Sequence, residues 1–247
     1  MMNPPSPTLA QLTHALTSSG LPTPAPSFLS PILNSPNTSQ RTPPLTSLVA
    51  TARLRLLQSD ITHPGILAST TATFPRNISA ATVVSASLSA DIPCQVLGVE
   101  DLSLSRWDVI CALESERKGE TTKGREVIRV LPTPPEDSTQ ATQSPPTTSS
   151  SPAPSPSLGP FKILLQDAAG QRVYAFELRR VEKLGCPPVM NIGCKVVLRR
   201  GAKVARGVVL LEPATVVVLG GKMEGEDRKW REGREERLRG GLPGRED

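Results

Sequence analysis

The sequence predicts a mainly β protein, in which a small barrel of short strands follows a small helical segment and precedes a charged helix. Between residues 161 and 221, five runs rich in strand-forming residues follow one another, separated by turn-forming residues. Only three of the 26 prolines of the 247-residue chain lie within that stretch. The distribution of proline therefore indicates one folded core, flanked and interrupted by segments of linker composition.

The segment before the barrel divides into two parts. Residues 1–44 contain ten prolines, and such a composition buries too little apolar surface to offset the entropy of ordering. We therefore expect this segment to be disordered, apart from a helical turn near Leu9–Leu16. From Leu45 onward, apolar residues recur at steps of three and four, which predicts an amphipathic helix. A second helical piece is expected in Ser79–Ser89. Residues 45–90 are thus predicted to form a small helical segment.

The barrel is predicted to span residues 91–221. Pro93–Asp101 has the composition of its first strand, and Ser105 with Asp108 has the spacing of a helix-capping box. The apolar face of the short helix that follows is expected to consist of Trp107, Ile110, Cys111 and Leu113. Residues from about 114 to 160 form a long insertion whose second half is rich in proline, serine and threonine, so we expect disorder there. Within it, Glu126–Leu131 has the composition of a further short strand.

The later strands begin with a hairpin, in which Phe161–Gln166 is followed by a turn and by Arg172–Leu178. Three valine-rich runs then follow, at Cys194–Arg199, Val204–Leu211 and Thr215–Leu219. Short sequential strands with a long excursion after the first are typical of an OB-fold, a small Greek-key β-barrel. The residues expected in its core are Val96, Ile163, Leu165, Val173, Val197, Val209, Leu211, Val216 and Val218.

The C-terminal part, residues 222–247, is highly charged. Within Met223–Arg239, oppositely charged residues stand four positions apart, which is the spacing of ion pairs along a helix. We therefore predict a charged helix that packs Trp230 against the barrel, followed by a tail.

Motifs for catalysis are missing from the sequence. The chain has no G-x-S-x-G motif, and Gly119–Glu126 has the glycine spacing of a P-loop without its lysine and hydroxyl residue. Four cysteines without a C-x-x-C pair and two histidines do not make a zinc site. Asp167 and Glu177 could be imagined as an acid–base pair, but turn capping and surface solvation explain them better. We therefore expect no enzyme activity, no metal and no cofactor.

Positive charge is concentrated in the barrel. The net charge of the chain is +5, and residues 161–221 hold ten basic and four acidic residues, a net +6. A cluster in one strand–turn–strand unit could meet phosphates, and consists of Lys195, Arg199, Arg200, Lys203 and Arg206. Aromatic residues for base stacking are scarce, at 3% of the chain. Nucleic-acid binding through this cluster is therefore expected to be weak, and a protein partner fits better.

One stretch of the sequence is specific enough to suggest a family. Gly207–Gly221, GVVLLEPATVVVLGG, closely resembles a signature of the RecQ-mediated genome instability protein 1 family. Ile163–Glu177 is similar to the hairpin that precedes this signature in the family, and Val96–Ser103 is similar to its first barrel strand. The resemblance covers roughly Leu45–Arg239 and is strongest in residues 161–221.

The resemblance implies a nuclear OB-fold subunit without activity of its own. Members of the family bind a type IA topoisomerase III and a RecQ-type helicase in a complex that dissolves double Holliday junctions. Their long loop after the first barrel strand reaches into the topoisomerase gate. By charge and position, we predict partner contacts at Lys195, Arg199, Arg200, Lys203, Glu116, Arg117, Lys118, Lys123 and Arg125. The alternative is a stand-alone OB-fold protein that binds single-stranded DNA.

Overall fold

The computed structural model describes residues 8–34, 43–118 and 159–240. Within these residues lie the helices α1 (Leu9–Ser18), α2 (Pro26–Leu33), α3 (Leu45–Gln58), α4 (Arg106–Lys118), α5 (Glu224–Glu232) and α6 (Arg234–Gly240). The strands are β1 (Ala86–Ser87), β2 (Ile92–Asp101), β3 (Phe161–Asp167), β4 (Arg172–Glu177), β5 (Lys195–Leu198), β6 (Lys203–Ala205), β7 (Val208–Leu211) and β8 (Val216–Gly220).

The eight strands form one sheet in the order β1-β6-β7-β4-β3-β2-β5-β8. Strands β4 and β7 run parallel, and all the other pairs are antiparallel. The short links β5–β6 and β7–β8 each join a strand near one end of this order to a strand at or near the other end, so the sheet must curl. Arg199 N donates to Thr215 O at 2.8 Å across the place where the two links meet. The predicted OB-fold and its mainly β class are confirmed.

Alternating burial along the hairpin strands explains why they form a half-buried sheet. Every second residue of β3, beginning with Phe161, is buried, and the intervening ones are partly exposed. All four residues of β5 are buried, because this strand lies between β2 and β8. Of the residues predicted for the core, Val218 is partly buried against it, and the buried ones are Val96, Ile163, Leu165, Val173, Val197, Val209, Leu211 and Val216.

The prediction of disorder over residues 1–44 is wrong for most of that segment. Helices α1 and α2 form there and bury leucines such as Leu12 and Leu29 in a second apolar core, which α3 completes. Thr8 caps α1 in a capping box with Gln11. Pro26 lies at the start of α2, where a missing N–H costs nothing. Proline in this segment therefore does not prevent the helices: Pro26 begins α2, and Pro31 lies inside it.

Two other predictions need correction. Residues 79–89, expected to be helical, contain turns and the short strand β1. Helix α4 continues to Lys118, so the first residues of the predicted disordered insertion, from 114 to 118, are helical. Residues 119–158, which include the predicted strand Glu126–Leu131 and the P-loop-like Gly119–Glu126, lie outside the described residues.

The helical core, formed by α1–α3, is held against the barrel by contacts of a buried glutamine and a glycine. Gln95 of β2 is fully buried; its Oε1 accepts from Ile61 N at 3.1 Å, and its Nε2 donates to Asp60 Oδ1 at 2.7 Å. Gly221, just after β8, has a φ of +96°, and a Cβ there would lie under 3.0 Å from Leu57 O at the end of α3. These contacts make α1–α3 part of the same folded unit as the barrel.

The charged C-terminal region is two helices, not the single helix predicted over Met223–Arg239. Helix α5 ends at Glu232, and α6 begins after Gly233. Trp230 packs against the barrel core, as predicted. Asp227 is buried and accepts from Ile192 N at 3.1 Å and from Arg231 Nε at 2.8 Å. Burial and hydrogen bonding at Asp227 thus fix α5 on the loop before β5.

Candidate protein interface

The corner between β2 and α4 exposes three large apolar side chains. Leu102, Leu104 and Trp107 have exposed fractions of 46%, 47% and 60%. The corner is ordered by a cap at the start of α4, where Asp108 N donates to Ser105 Oγ at 3.1 Å and Ser105 Oγ donates to Asp108 Oδ2 at 2.6 Å. The half of the predicted capping box in which the Ser105 side chain accepts from Asp108 N is therefore present, but Trp107, expected on the apolar face of the helix, points to solvent.

The long insertion leaves and re-enters the fold beside this corner. It leaves at the end of α4, at Lys118, and returns at Gly159. Leu102 N donates to Pro160 O at 3.0 Å, so the returning chain touches the exposed corner itself. A partner that contacts the corner would therefore also meet the base of the insertion.

Ion pairs between α4 and α6 fix the direction of α4. Glu235 of α6 pairs with Arg117 at 3.4 Å, and Arg239 pairs with both Glu114 and Glu235. These pairs are partly exposed, so each contributes little stability on its own. Together they hold the helix from which the insertion departs. Of the predicted partner residues on the insertion, Glu116, Arg117 and Lys118 are exposed, while Lys123 and Arg125 lie outside the described residues.

The predicted basic edge is only partly at the surface. Arg199, Arg200, Lys203 and Arg206 are exposed, as the prediction required. Asp91 lies among them, accepting from Arg200 N at 2.8 Å and pairing with Arg199 at 2.8 Å. The hydrogen bond from Arg200 N lowers the pKa of Asp91, and Arg199 adds to this effect. One carboxylate thus offsets part of the positive charge of the edge.

Lys195 does not belong to this edge, and its assignment as a binding residue is wrong. Its side chain is only 3% exposed, and Nζ donates to Gly193 O at 2.7 Å. Burial lowers the pKa of Lys195 from its ordinary 10.5 to about 8. Local sequence does not reveal this burial, because a lysine at the start of a strand is usually exposed. Only the sheet order shows that β5 is enclosed on both sides.

The two predicted partner surfaces are not brought together. Ile92, at the start of β2, pairs with Leu198 next to the basic edge, whereas Asp101, at its other end, pairs with Phe161 and leads into the apolar corner. A ten-residue strand is about 30 Å long. The basic edge and the base of the insertion therefore lie at opposite ends of the barrel.

The two carboxylates considered as an acid–base pair, Asp167 and Glu177, are structural. Asp167 is buried and accepts from the backbone N–H groups of Phe74, Ala169 and Gln171. Glu177 is buried too and accepts from Phe161 N at 3.2 Å and Val181 N at 2.8 Å. Turn capping is confirmed for Asp167, but surface solvation is wrong for both, since every carboxylate oxygen faces a backbone donor.

Potential metal ligands are scattered in the described part of the chain, where no three of them come together. No helix in the same residues is long and apolar enough to cross a membrane. The fold and the exposed corner define an OB-fold protein with an apolar patch at its rim, beside the places where the chain leaves the barrel and returns to it. Residues 74–234 match the model of the family described as RMI1, N-terminal OB-fold domain. The chain belongs to this family, which implies a role in genome stability. A search of curated proteins found no match.

Proposed function

We propose that the protein is a non-catalytic structural subunit of a nuclear complex of a RecQ helicase and topoisomerase III. In this role it promotes the dissolution of double Holliday junctions and thereby genome stability. Membership of the family supports the proposal, since the match covers the whole barrel together with α4 and α5. The topoisomerase is bound through the OB-fold and its insertion.

The observation that carries the proposal is the exposed apolar corner of Leu102, Leu104 and Trp107. Large apolar side chains that cluster at the surface mark interaction sites, and tryptophan is enriched among the residues that dominate binding energies. The corner touches the returning end of the insertion at Pro160. One partner can therefore bury the corner and engage the insertion at the same time.

The corner is suited to binding because it is held in place before a partner arrives. The cap at Ser105 fixes the start of α4, and the ion pairs with α6 fix its end. A surface ordered in advance loses less conformational entropy on association. The exposed charges Glu116, Arg117 and Lys118 would then form the polar rim of the interface.

The decisive experiment measures association of the purified chain with a topoisomerase III by calorimetry. Trp107→Ala is expected to weaken binding about 30-fold or more, as loss of a central anchor costs about 2 kcal/mol. Leu54→Ala, which truncates a side chain that is 58% exposed on α3, is the matched control and should bind like the wild type. Equal affinities for all three proteins, or no association at low salt, would refute the proposal.

The insertion is tested separately by replacing residues 132–158 with a short glycine–serine linker. If the insertion acts at the topoisomerase gate, binding persists while the rate of decatenation changes. An unaltered rate excludes that role. Oligonucleotide anisotropy distinguishes the alternative: tight binding of single-stranded DNA at physiological salt, without a topoisomerase partner, would favour a stand-alone DNA-binding protein acting through Arg199, Arg200, Lys203 and Arg206.

A further inference from the structure

A groove of about 520 Å³ runs from the apolar corner along the outer face of the barrel. Its floor is the outward side of β2, β3 and β4, and its walls are α4 on one side and α5 with α6 on the other. This volume falls in the range of sites that enclose ligands and peptide side chains. Neither the corner residue Trp107 nor the basic edge lines the groove.

The floor of the groove is a row of three directly paired residues. Gly98 of β2 pairs with Leu164 of β3, and Leu164 pairs with Tyr174 of β4. The indole of Trp230 lies over Gly98: a Cβ added to Gly98 would be in ordinary contact with its Nε1, at 3.6 Å. Tyr174 is 49% exposed. The row therefore gives an apolar slot between two aromatic side chains, open to solvent above Leu164.

The positive charge available to a ligand comes from α6. Lys162 and Lys229 also line the groove, but Lys162 pairs with Glu100 at 3.6 Å and Lys229 pairs with Glu226 at 2.9 Å. These two lysines are therefore already partly neutralised within the groove.

Two arginines of α6 differ from these lysines. The guanidinium of Arg234 lies 5.1 Å from the centre of the Trp230 ring, and Arg237 donates to Trp230 O. Among the described residues, no carboxylate lies within 4.0 Å of either one. Each guanidinium has five N–H donors, so both retain donors for an anionic ligand. Trp230 thus positions two cations at the edge of the apolar slot.

We propose that this groove binds a short acidic peptide segment of another protein, anchored by one apolar side chain. The anchor lies on Leu164 between Tyr174 and Trp230, and flanking carboxylates pair with Arg234 and Arg237. Charge complementarity identifies the ligand, since planar guanidinium groups bind carboxylates through paired hydrogen bonds.

A single-stranded nucleic acid fits the same groove less well. Glu100, Asp101 and Glu226 also line it, so its positive charge is interrupted and does not match a continuous phosphate backbone. The rings on which bases could stack already have cations over them, with Lys162 Nζ 4.4 Å from the centre of Tyr174 and two guanidinium groups near Trp230. A peptide needs only isolated carboxylates and one apolar contact, which the groove supplies.

The test selects ligands from a random 12-residue peptide library displayed on phage, with the full chain as the target. The expected result is enrichment of sequences that combine aspartate or glutamate with one large apolar residue. The best peptide is then synthesised, labelled and titrated by fluorescence anisotropy. No enrichment, or enrichment of basic sequences, would overturn the proposal.

Variants then locate the binding site. Arg234→Glu with Arg237→Glu is expected to weaken the selected peptide at least about tenfold. Arg53→Glu with Arg55→Glu, an equal charge change on the exposed face of α3, should leave it unchanged. Tyr174→Ala removes an exposed side chain of the same groove. It is a second variant that locates the peptide site if the arginine variant does not fold.

Three outcomes contradict the proposal. Unchanged peptide binding in both the arginine and the Tyr174→Ala variants would place the peptide elsewhere. A 20-nucleotide single strand that binds more tightly than the peptide, and is lost in the arginine variant, would make this a nucleic-acid site. Binding lost equally in the α3 control would mean that net charge alone drives it. None of these results depends on topoisomerase, so this proposal and the proposed function can fail independently.

Discussion

Replacing Asp167 with asparagine should destabilise the whole fold although it alters a single atom. The carboxylate of Asp167 is fully buried at the end of β3. Its Oδ2 accepts from Phe74 N at 2.7 Å, and its Oδ1 accepts from Gln171 N at 2.8 Å and Ala169 N at 3.0 Å. One side chain thus closes the β3–β4 turn and ties the chain before the barrel to it.

The magnitude follows from what asparagine can and cannot replace. Its carbonyl oxygen can keep the two bonds to the turn, but its NH₂ group then faces Phe74 N, so two donors meet. The charge-assisted bond, worth about 1.5–3 kcal/mol, is lost, and a buried N–H is left unpaired. We expect a total loss of about 2–4 kcal/mol, a large part of the 5–15 kcal/mol typical of a folded domain.

Urea unfolding followed by circular dichroism measures this loss. A decrease of about 2–4 kcal/mol should lower the urea midpoint by about 1–2 M. Asp91→Asn is the matched control, because Asp91 also accepts a backbone N–H but is exposed, so its loss should be below about 1 kcal/mol. Equal effects of the two substitutions, or a change under about 0.5 kcal/mol for Asp167→Asn, would show that the buried bonds do not act as argued.

Three further substitutions test other contacts by the same measurement. Gly221→Ala forces a Cβ against Leu57 O at a φ of +96°, so we expect a loss above about 2 kcal/mol, whereas Gly225→Ala, in open space on α5, should be neutral. Burial lowers the pKa of Lys195 to about 8. Relative to Lys195→Met, the free energy of unfolding of the wild type should therefore increase by on the order of 3 kcal/mol as the pH rises from 8 to 10.5. Unfolding free energies that change with pH in parallel in the two proteins would contradict this. Burial raises the pKa of Asp227, but its hydrogen bonds outweigh this effect and lower the pKa overall. The amount by which the wild type is more stable than Asp227→Asn should therefore shrink as the pH falls below about 4. A stability difference that persists in acid would contradict this.

The strands of the barrel could be predicted because their patterns are local. Alternation along Phe161–Asp167 and Arg172–Glu177 reflects a hairpin with one buried face, and both strands form where expected. Helix α2, and α1 beyond a helical turn, could not be predicted in the same way. Their stability comes from burying Leu12, Leu16 and Leu29 against one another, and a window of proline-rich sequence does not reveal contacts between separate segments.

Predictions about the site succeeded where exposure follows from local position, and failed where it follows from topology. Arg199, Arg200 and Lys203 lie in or beside a tight turn and are exposed as predicted. Lys195 is buried because β8 covers its strand, a fact set by residues 20 or more positions away. The prediction for Trp107 was wrong in the opposite direction. Its helical spacing with Ile110 predicted a core position, but of the two only Ile110 is buried.

The signature Gly207–Gly221 has a physical basis that ties the barrel to the residues before it. A Cβ on Gly207 would lie under 3.0 Å from Ser79 O, and one on Gly221 would lie under 3.0 Å from Leu57 O. Both glycines also have positive φ, at 82° and 96°. The signature glycines at its two ends are thus places where an earlier segment passes close to the barrel backbone. Leu57 lies outside the matched range of 74–234, so in this chain the helical core restricts a residue of the matched domain although the match begins after that core.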